Sequence, residues 1–158
     1  MVVWIPDSEA SVQATPFPTI FSTATVTTSR GTNRSAINDL HEATSSADES
    51  SFFHWWPKKG SLEWVEYKLK APATVSEAQV YWFDDTGHGE CRVPQSWKLF
   101  YRVAGSDAWT PVETSDAYGV ALDQYNTVKF KPVTATEFRL EVQLQADWSA
   151  GIEQWKLK

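Results

Sequence analysis

The chain predicts an all-β domain, an antiparallel sandwich or barrel of about eight short strands, and three observations carry that prediction. Apolar and polar residues alternate with a period of two in several segments. Turn-forming clusters separate those segments. The longest polar stretch, residues 29–51, is the one place where a helical turn is expected, around Ala36 to His41. At 158 residues the chain makes one ordinary domain. A domain of that size buries roughly two-thirds of the surface its unfolded chain exposes and needs no disulfide or metal to form a core.

The elements follow in order. Residues 1–21 contain Pro6, Pro16 and Pro18 without a clean period and read as a linker or the edge of a preceding domain; residues 22–158 form the sandwich. Residues 22–28 are rich in β-branched side chains, which suit a pleated strand. In residues 64–69, Val65, Tyr67 and Leu69 face inward while Glu66 and Lys68 face outward. Residues 78–83 have the apolar character of a strand covered on both faces. Trp97, Leu99, Tyr101 and Val103 alternate with polar or outward neighbours before the turn at Ala104 to Asp107. Residues 127–130, 138–144 and 152–157 complete the set.

Lys plus Arg total 14 against 20 for Asp plus Glu, a net charge of −6. An acidic domain without a clustered basic stripe is a poor partner for nucleic acid or an anionic membrane, so neither is expected. The single Cys91 forms no internal bridge. No long apolar run or signal peptide is present, and the opening Met1-Val2-Val3-Trp4-Ile5-Pro6 reads as the start of a piece cut from a longer polypeptide.

Two loops carry the binding chemistry. In the first, Asp84, Asp85, His88 and Arg92 lie within nine residues, with Gly87 and Gly89 flanking the histidine. Such side chains beside aromatic rings suit a neutral, hydroxyl-rich ligand such as a sugar: the ring covers the apolar C–H face, and the charged groups hydrogen-bond the hydroxyls. The competing reading is turn chemistry, with an Asp capping the loop and Arg92 paired to a carboxylate. The second loop, Phe52-Phe53-His54-Trp55-Trp56-Pro57, sets bulky rings side by side, and neighbours on an extended segment point opposite ways. One of Trp55 or Trp56 is therefore expected at the surface as a stacking platform; the alternative wedges both beneath the loop. Trp148 is a third aromatic candidate and Tyr118 a weaker one.

The order of Ala24-Thr25-Val26, Ala36-Ile37-Asn38-Asp39, Glu63 to Leu69, Pro94 to Tyr101, Ala108 to Val112 and Phe138 to Val142 resembles the discoidin, or coagulation factor 5/8 type C, superfamily. That resemblance implies a galactose-binding-like jelly-roll β-sandwich, and family 32 carbohydrate-binding modules belong to it. Phe53 to Pro57, Tyr81 to Pro94, Tyr125 to Val128 and Ser149 to Ile152 look like the C-terminal β-sandwich of bacterial glycoside hydrolases of the β-L-arabinofuranosidase type. The resemblance implies a monomeric, secreted or periplasmic accessory module whose partners are a glycan and the parent catalytic domain. The alternative is a structural domain that docks on that catalytic domain and binds no sugar.

In many such modules a structural Ca²⁺ sits beneath the loop matching Ser35 to Ser46. The resemblance places Asp39, Thr44 and Gln154 at its side-chain ligand positions. Leu40 stands where a Gly often follows the Asp, and Gln154 stands where a Glu is usual. Glu153 is one residue off that position and is expected to face away. Catalysis is not expected. Adjacent Asp84 and Asp85 point to opposite faces, unlike a glycosidase pair, and Cys91 with His88 lacks an orienting third group. No cysteine or histidine spacing offers a zinc site.

Overall fold

The computed structural model describes residues 20–158, so the expected linker lies outside the described residues except for Ile20 and Phe21. Seven strands follow one another: β1 (Thr25–Thr28), β2 (Phe53–His54), β3 (Leu62–Phe83), β4 (Ser96–Arg102), β5 (Thr110–Pro111), β6 (Tyr125–Gln143) and β7 (Gly151–Leu157). The expected helical turn is a short 3-10 segment, Arg34–Asn38, and a second one, Ile20–Thr23, precedes β1.

Two pairs of expected strands are fused. Residues 64–69 and 78–83 belong to β3, and residues 127–130 and most of 138–144 to β6. The β3–β6 pairing slips between Lys68 and Ala73 and again between Val75 and Glu77. These irregularities bend the ladder beside Pro72, which has no N–H to donate. They also reverse the buried phase of β3, from Val65, Tyr67, Leu69 and Val75 to Ala78, Val80 and Trp82.

The fused strands serve two layers. The first half of β3 pairs with β1 and with the second half of β6, which continues to β4 and β5. The second half of β3 pairs with the first half of β6 and with β7, which continues to β2. Every one of these strand pairs is antiparallel, as a jelly-roll sandwich requires. Aromatic contacts join the layers: Tyr67 of β3 stacks on Trp155 of β7 with centroids 3.9 Å apart, and its hydroxyl donates to the Trp155 carbonyl at 2.7 Å. Trp82 and Trp97 meet edge to face at 5.7 Å, and both indole N–H groups donate to the Gly119 carbonyl. Tyr118 packs against Trp97 at 4.8 Å and so serves the core.

At one end, three connections are tied together. The backbones of Cys91 and Ser149 form an isolated parallel β-bridge, Arg92 N–H donates to Ser149 O at 2.9 Å, and Trp55 N–H donates to Ala150 O at 3.0 Å. The Gln145 side chain adds a bond to Val93 O at 2.8 Å. The loops after β2, β3 and β6 therefore form one supported surface, the usual place for binding residues on a rigid β scaffold.

Candidate functional site

A pocket of about 330 Å³ opens on that surface, lined by Phe52, His54, Trp56, Phe83, Asp85, Gly89, Glu90 and Cys91. Phe52 stacks on Phe83 at 3.9 Å and lies 5.7 Å from the His54 ring. Trp56 is 50% exposed. Its indole N–H donates to Glu90 Oε1 at 3.0 Å, and Lys59 meets the same oxygen at 3.1 Å. The ring is thus held by its edge, leaving its face accessible. Burial lowers the His54 pKa, with Asp85 opposing, so the imidazole is neutral at neutral pH.

Asp85 reaches the pocket with a fixed geometry. Its Oδ1 accepts the Cys91 N–H at 2.8 Å and lies 3.7 Å from Arg92. Its Oδ2 rests over Gly89, where an added Cβ would stand only 2.1 Å away. A side chain at position 89 would push that carboxylate out of its place.

The structure brings together His54, Trp56 and Asp85 of the expected binding residues, and puts the others elsewhere. Trp55 is fully buried, edge to face with Phe53 at 4.9 Å, and has no face to offer a ligand. Asp84 is consumed by its own loop: Oδ1 accepts Thr86 N–H and Oγ1, and Oδ2 accepts Val93 N–H at 3.0 Å. Arg92 donates to the Gly89 and Cys91 carbonyls at 2.9 and 2.8 Å, and its guanidinium lies 3.8 Å over the Trp148 ring. That stack covers one face of Trp148 and makes both residues loop braces. His88 is exposed but lines a neighbouring depression with Ala47, Glu49 and Asp85. Phe52, Phe83 and Glu90 join the site without having been anticipated as binding residues. The signal for Glu90 was indirect: a surface Trp N–H near a loop carboxylate finds an acceptor. Cys91 is buried with its thiol pushed up to about 12, chiefly by burial, so it is no nucleophile at neutral pH.

The loop expected to hold calcium does not fit the ion. The Gln154 amide nitrogen donates to Asp39 Oδ1 and to the His41 carbonyl, each at 3.1 Å, while its Oε1 accepts the Leu40 N–H at 3.2 Å. An N–H donor thus faces the two oxygens that a cation would need. Asp39 Oδ2 accepts the Ser51 hydroxyl, and Thr44 gives its N–H to Asp48. Leu40 takes φ +66°, the left-handed conformation that a glycine would adopt without strain. Among the described residues no group of three or more His, Cys, Asp or Glu is placed to hold a metal. The thermal midpoint of the protein is accordingly expected to be the same in EDTA and in calcium. Gln154→Glu removes both donated bonds and sets a carboxylate against Asp39. It should cost about 1–3 kcal/mol in EDTA and recover with ~1 mM calcium. A wild-type midpoint that falls in EDTA would refute this account of the loop.

Glu153, next to Gln154, lies where the strand pairing is irregular. The β3–β7 register slips between Tyr81 and Trp82, so Tyr81 pairs with Gln154 and Trp82 with Ile152, leaving Glu153 as the extra residue of a bulge. It is fully buried, and neither carboxyl oxygen has a hydrogen-bond partner among the described residues.

A model of the F5/8 type C domain matches residues 22–155. Solved structures of the same fold include chitosan-binding module 1 of a chitosanase/glucanase from Paenibacillus sp. IK-5 (TM-score 0.64, 14% identity, 90% of this chain and 99% of that one). The Clostridium perfringens module CpGH89CBM32-5, solved with GalNAc-β-1,3-galactose, gives TM-score 0.66 at 10% identity over 87% and 97% of the two chains. A structure from the Streptococcus pneumoniae β-galactosidase BgaA gives 0.68 at 16% identity over 85% and 91%. No curated protein sequence matches the chain. The chain belongs to the F5/8 type C domain family.

Proposed function

We propose that this domain binds a glycan in the pocket beside Trp56, as an accessory module of a secreted bacterial glycoside hydrolase. The observation that carries the reading is the indole of Trp56, half exposed and edge-anchored by Glu90 beside a concave pocket that also holds Asp85 and His54. A pyranose or furanose would lay its C–H face on the indole. Its hydroxyls would donate to the Asp85 and Glu90 carboxylates and bond the neutral His54. A hydroxyl of the wrong epimer leaves a buried polar group unpaired, at about 1–3 kcal/mol. The family and its structural neighbours support this reading, the neighbours being modules solved as chitosan-binding or in complex with a galactose-containing disaccharide. The likeness of residues 53–57 and 81–94 to β-L-arabinofuranosidase-type enzymes points to plant polysaccharides as the first ligands to try.

With one small open pocket, dissociation constants on the order of 10 µM to 1 mM are expected. Docking on a catalytic domain without sugar binding calls for a broad flat apolar face, whereas this site is concave and carries carboxylates. Calorimetric titration against a panel of plant and animal glycans tests the proposal. Trp56→Ala should weaken binding by about tenfold or more, roughly 1.4 kcal/mol, with the thermal midpoint unchanged. Binding to no glycan, or binding indifferent to Trp56→Ala, would overturn it.

A further inference from the structure

The depression that holds His88 has a volume of about 290 Å³ and is lined by Ala47, Glu49, Asp85 and His88. Asp85 is also a wall of the Trp56 pocket, so the two concavities meet at one carboxylate. Their linings differ: the first is aromatic, whereas the second offers Glu49 and the exposed His88 around a single alanine.

The second concavity is built on supported backbone. His88 and Gly89 both donate their N–H groups to the Asp85 carbonyl, at 2.8 and 2.9 Å. On the facing segment the Asp48 carboxylate accepts Thr44 N–H, Ser50 N–H and the Ser50 hydroxyl, and meets His41 Nε2 at 3.0 Å. Ser46 exchanges two 2.8 Å bonds with Asp123 and accepts the Asp84 N–H at 2.8 Å. The turn carrying Ala47 and Glu49 is thereby tied to the loop carrying Asp85 and His88. Preformed walls reduce the ordering a ligand must impose.

We propose that the depression is a second sugar subsite, so that the ligand is a disaccharide unit or longer, with its second residue non-anionic. This rests on the proposed glycan site and extends it. The first sugar stacks on Trp56, the linkage passes over Asp85, and the second sugar hydrogen-bonds Glu49 and His88. Charge sets the class of the second sugar. Around the first pocket Glu90 is matched by Lys59 and Asp85 by Arg92, whereas no cation among the described residues forms an ion pair with Glu49. A uronate there would meet the unmatched Glu49 with a like charge, while a neutral or amine-bearing sugar would not.

Titrations of galactose, glucosamine and arabinose, each beside its homodisaccharide, with digalacturonate as the anionic control, test the subsite. A disaccharide of a bound sugar should bind about tenfold more tightly than the monosaccharide, the yield of two further hydrogen bonds. Glu49→Ala and His88→Ala should each shrink that advantage severalfold, and digalacturonate should bind worst. Equal affinities for monosaccharide and disaccharide, still lost in Trp56→Ala, would remove the second subsite and leave the first intact. Binding of no sugar would remove both.

Discussion

Gly151→Ala should destabilise this domain by roughly 2–3 kcal/mol, at the upper end of overpacking costs, and lower its thermal midpoint by roughly 4–12 °C. Gly151 opens β7 at the place where three strands converge, paired with His54 of β2 and with Phe83 of β3. A Cβ built there would lie 2.4 Å from the Phe53 carbonyl oxygen and 3.0 Å from the Phe83 ring. The carbonyl is backbone in a ladder and cannot swing aside as a flexible side chain would. Relief requires β2 to move away from β7, and β2 carries His54. Phe83, pushed from the other side, stacks on Phe52 in the pocket wall. The substitution should therefore weaken glycan binding along with stability, unlike Trp56→Ala, which touches binding alone. Thermal melts and titrations of both variants separate the two effects; a Gly151→Ala midpoint within a degree or two of wild type would mean that β2 is not held as the structure has it.

Much of this architecture was legible because alternation survives in the sequence. Val65, Tyr67, Leu69, Leu99, Leu140 and Val142 face the core as their period predicts. The fusion of neighbouring strands was not legible, since Pro72 and Pro132 look like breaks in a linear reading. They sit in bends of continuous strands whose paired registers slip to accommodate them. The site was partly legible for a similar reason. Alternation required one of Trp55 and Trp56 to surface, but only the Trp55 N–H bond to Ala150 and its contact with Phe53 decide that it is Trp56. Asp84 and Arg92 resembled ligand-binding groups because their partners are backbone amides and carbonyls, which the sequence does not display. Gln154 is the sharpest case. Its amide oxygen made it a candidate ligand, yet its nitrogen does the work by spanning Asp39 and His41.

Glu153→Gln should flatten the pH dependence of stability and make the protein progressively more stable than wild type as the solution becomes alkaline. Glu153 is buried in the β7 bulge, and burial first, then the negative charges of Asp48 and Asp39, push its carboxyl up to about 9. The Tyr81 and Tyr125 phenols also feel its charge. A raised folded-state pKa means that the native protein holds a proton which the unfolded chain, near its ordinary 4.5, has released. The stabilisation from that proton is fully present below about 4.5 and is lost as pH climbs through about 9. For one proton the slope has a ceiling of about 1.4 kcal/mol per pH unit. Asp48 runs the opposite way: the Ser50 hydroxyl and N–H and His41 lower its pKa, so its contribution is present above the ordinary carboxylate range and lost in acid. Comparing wild type with Glu153→Gln at each pH cancels Asp48 and isolates the bulge carboxyl. Denaturant midpoints from pH 5 to 9 should diverge, with the variant gaining steadily. Parallel curves would show that Glu153 is ionised in the folded state and has found a partner in solution.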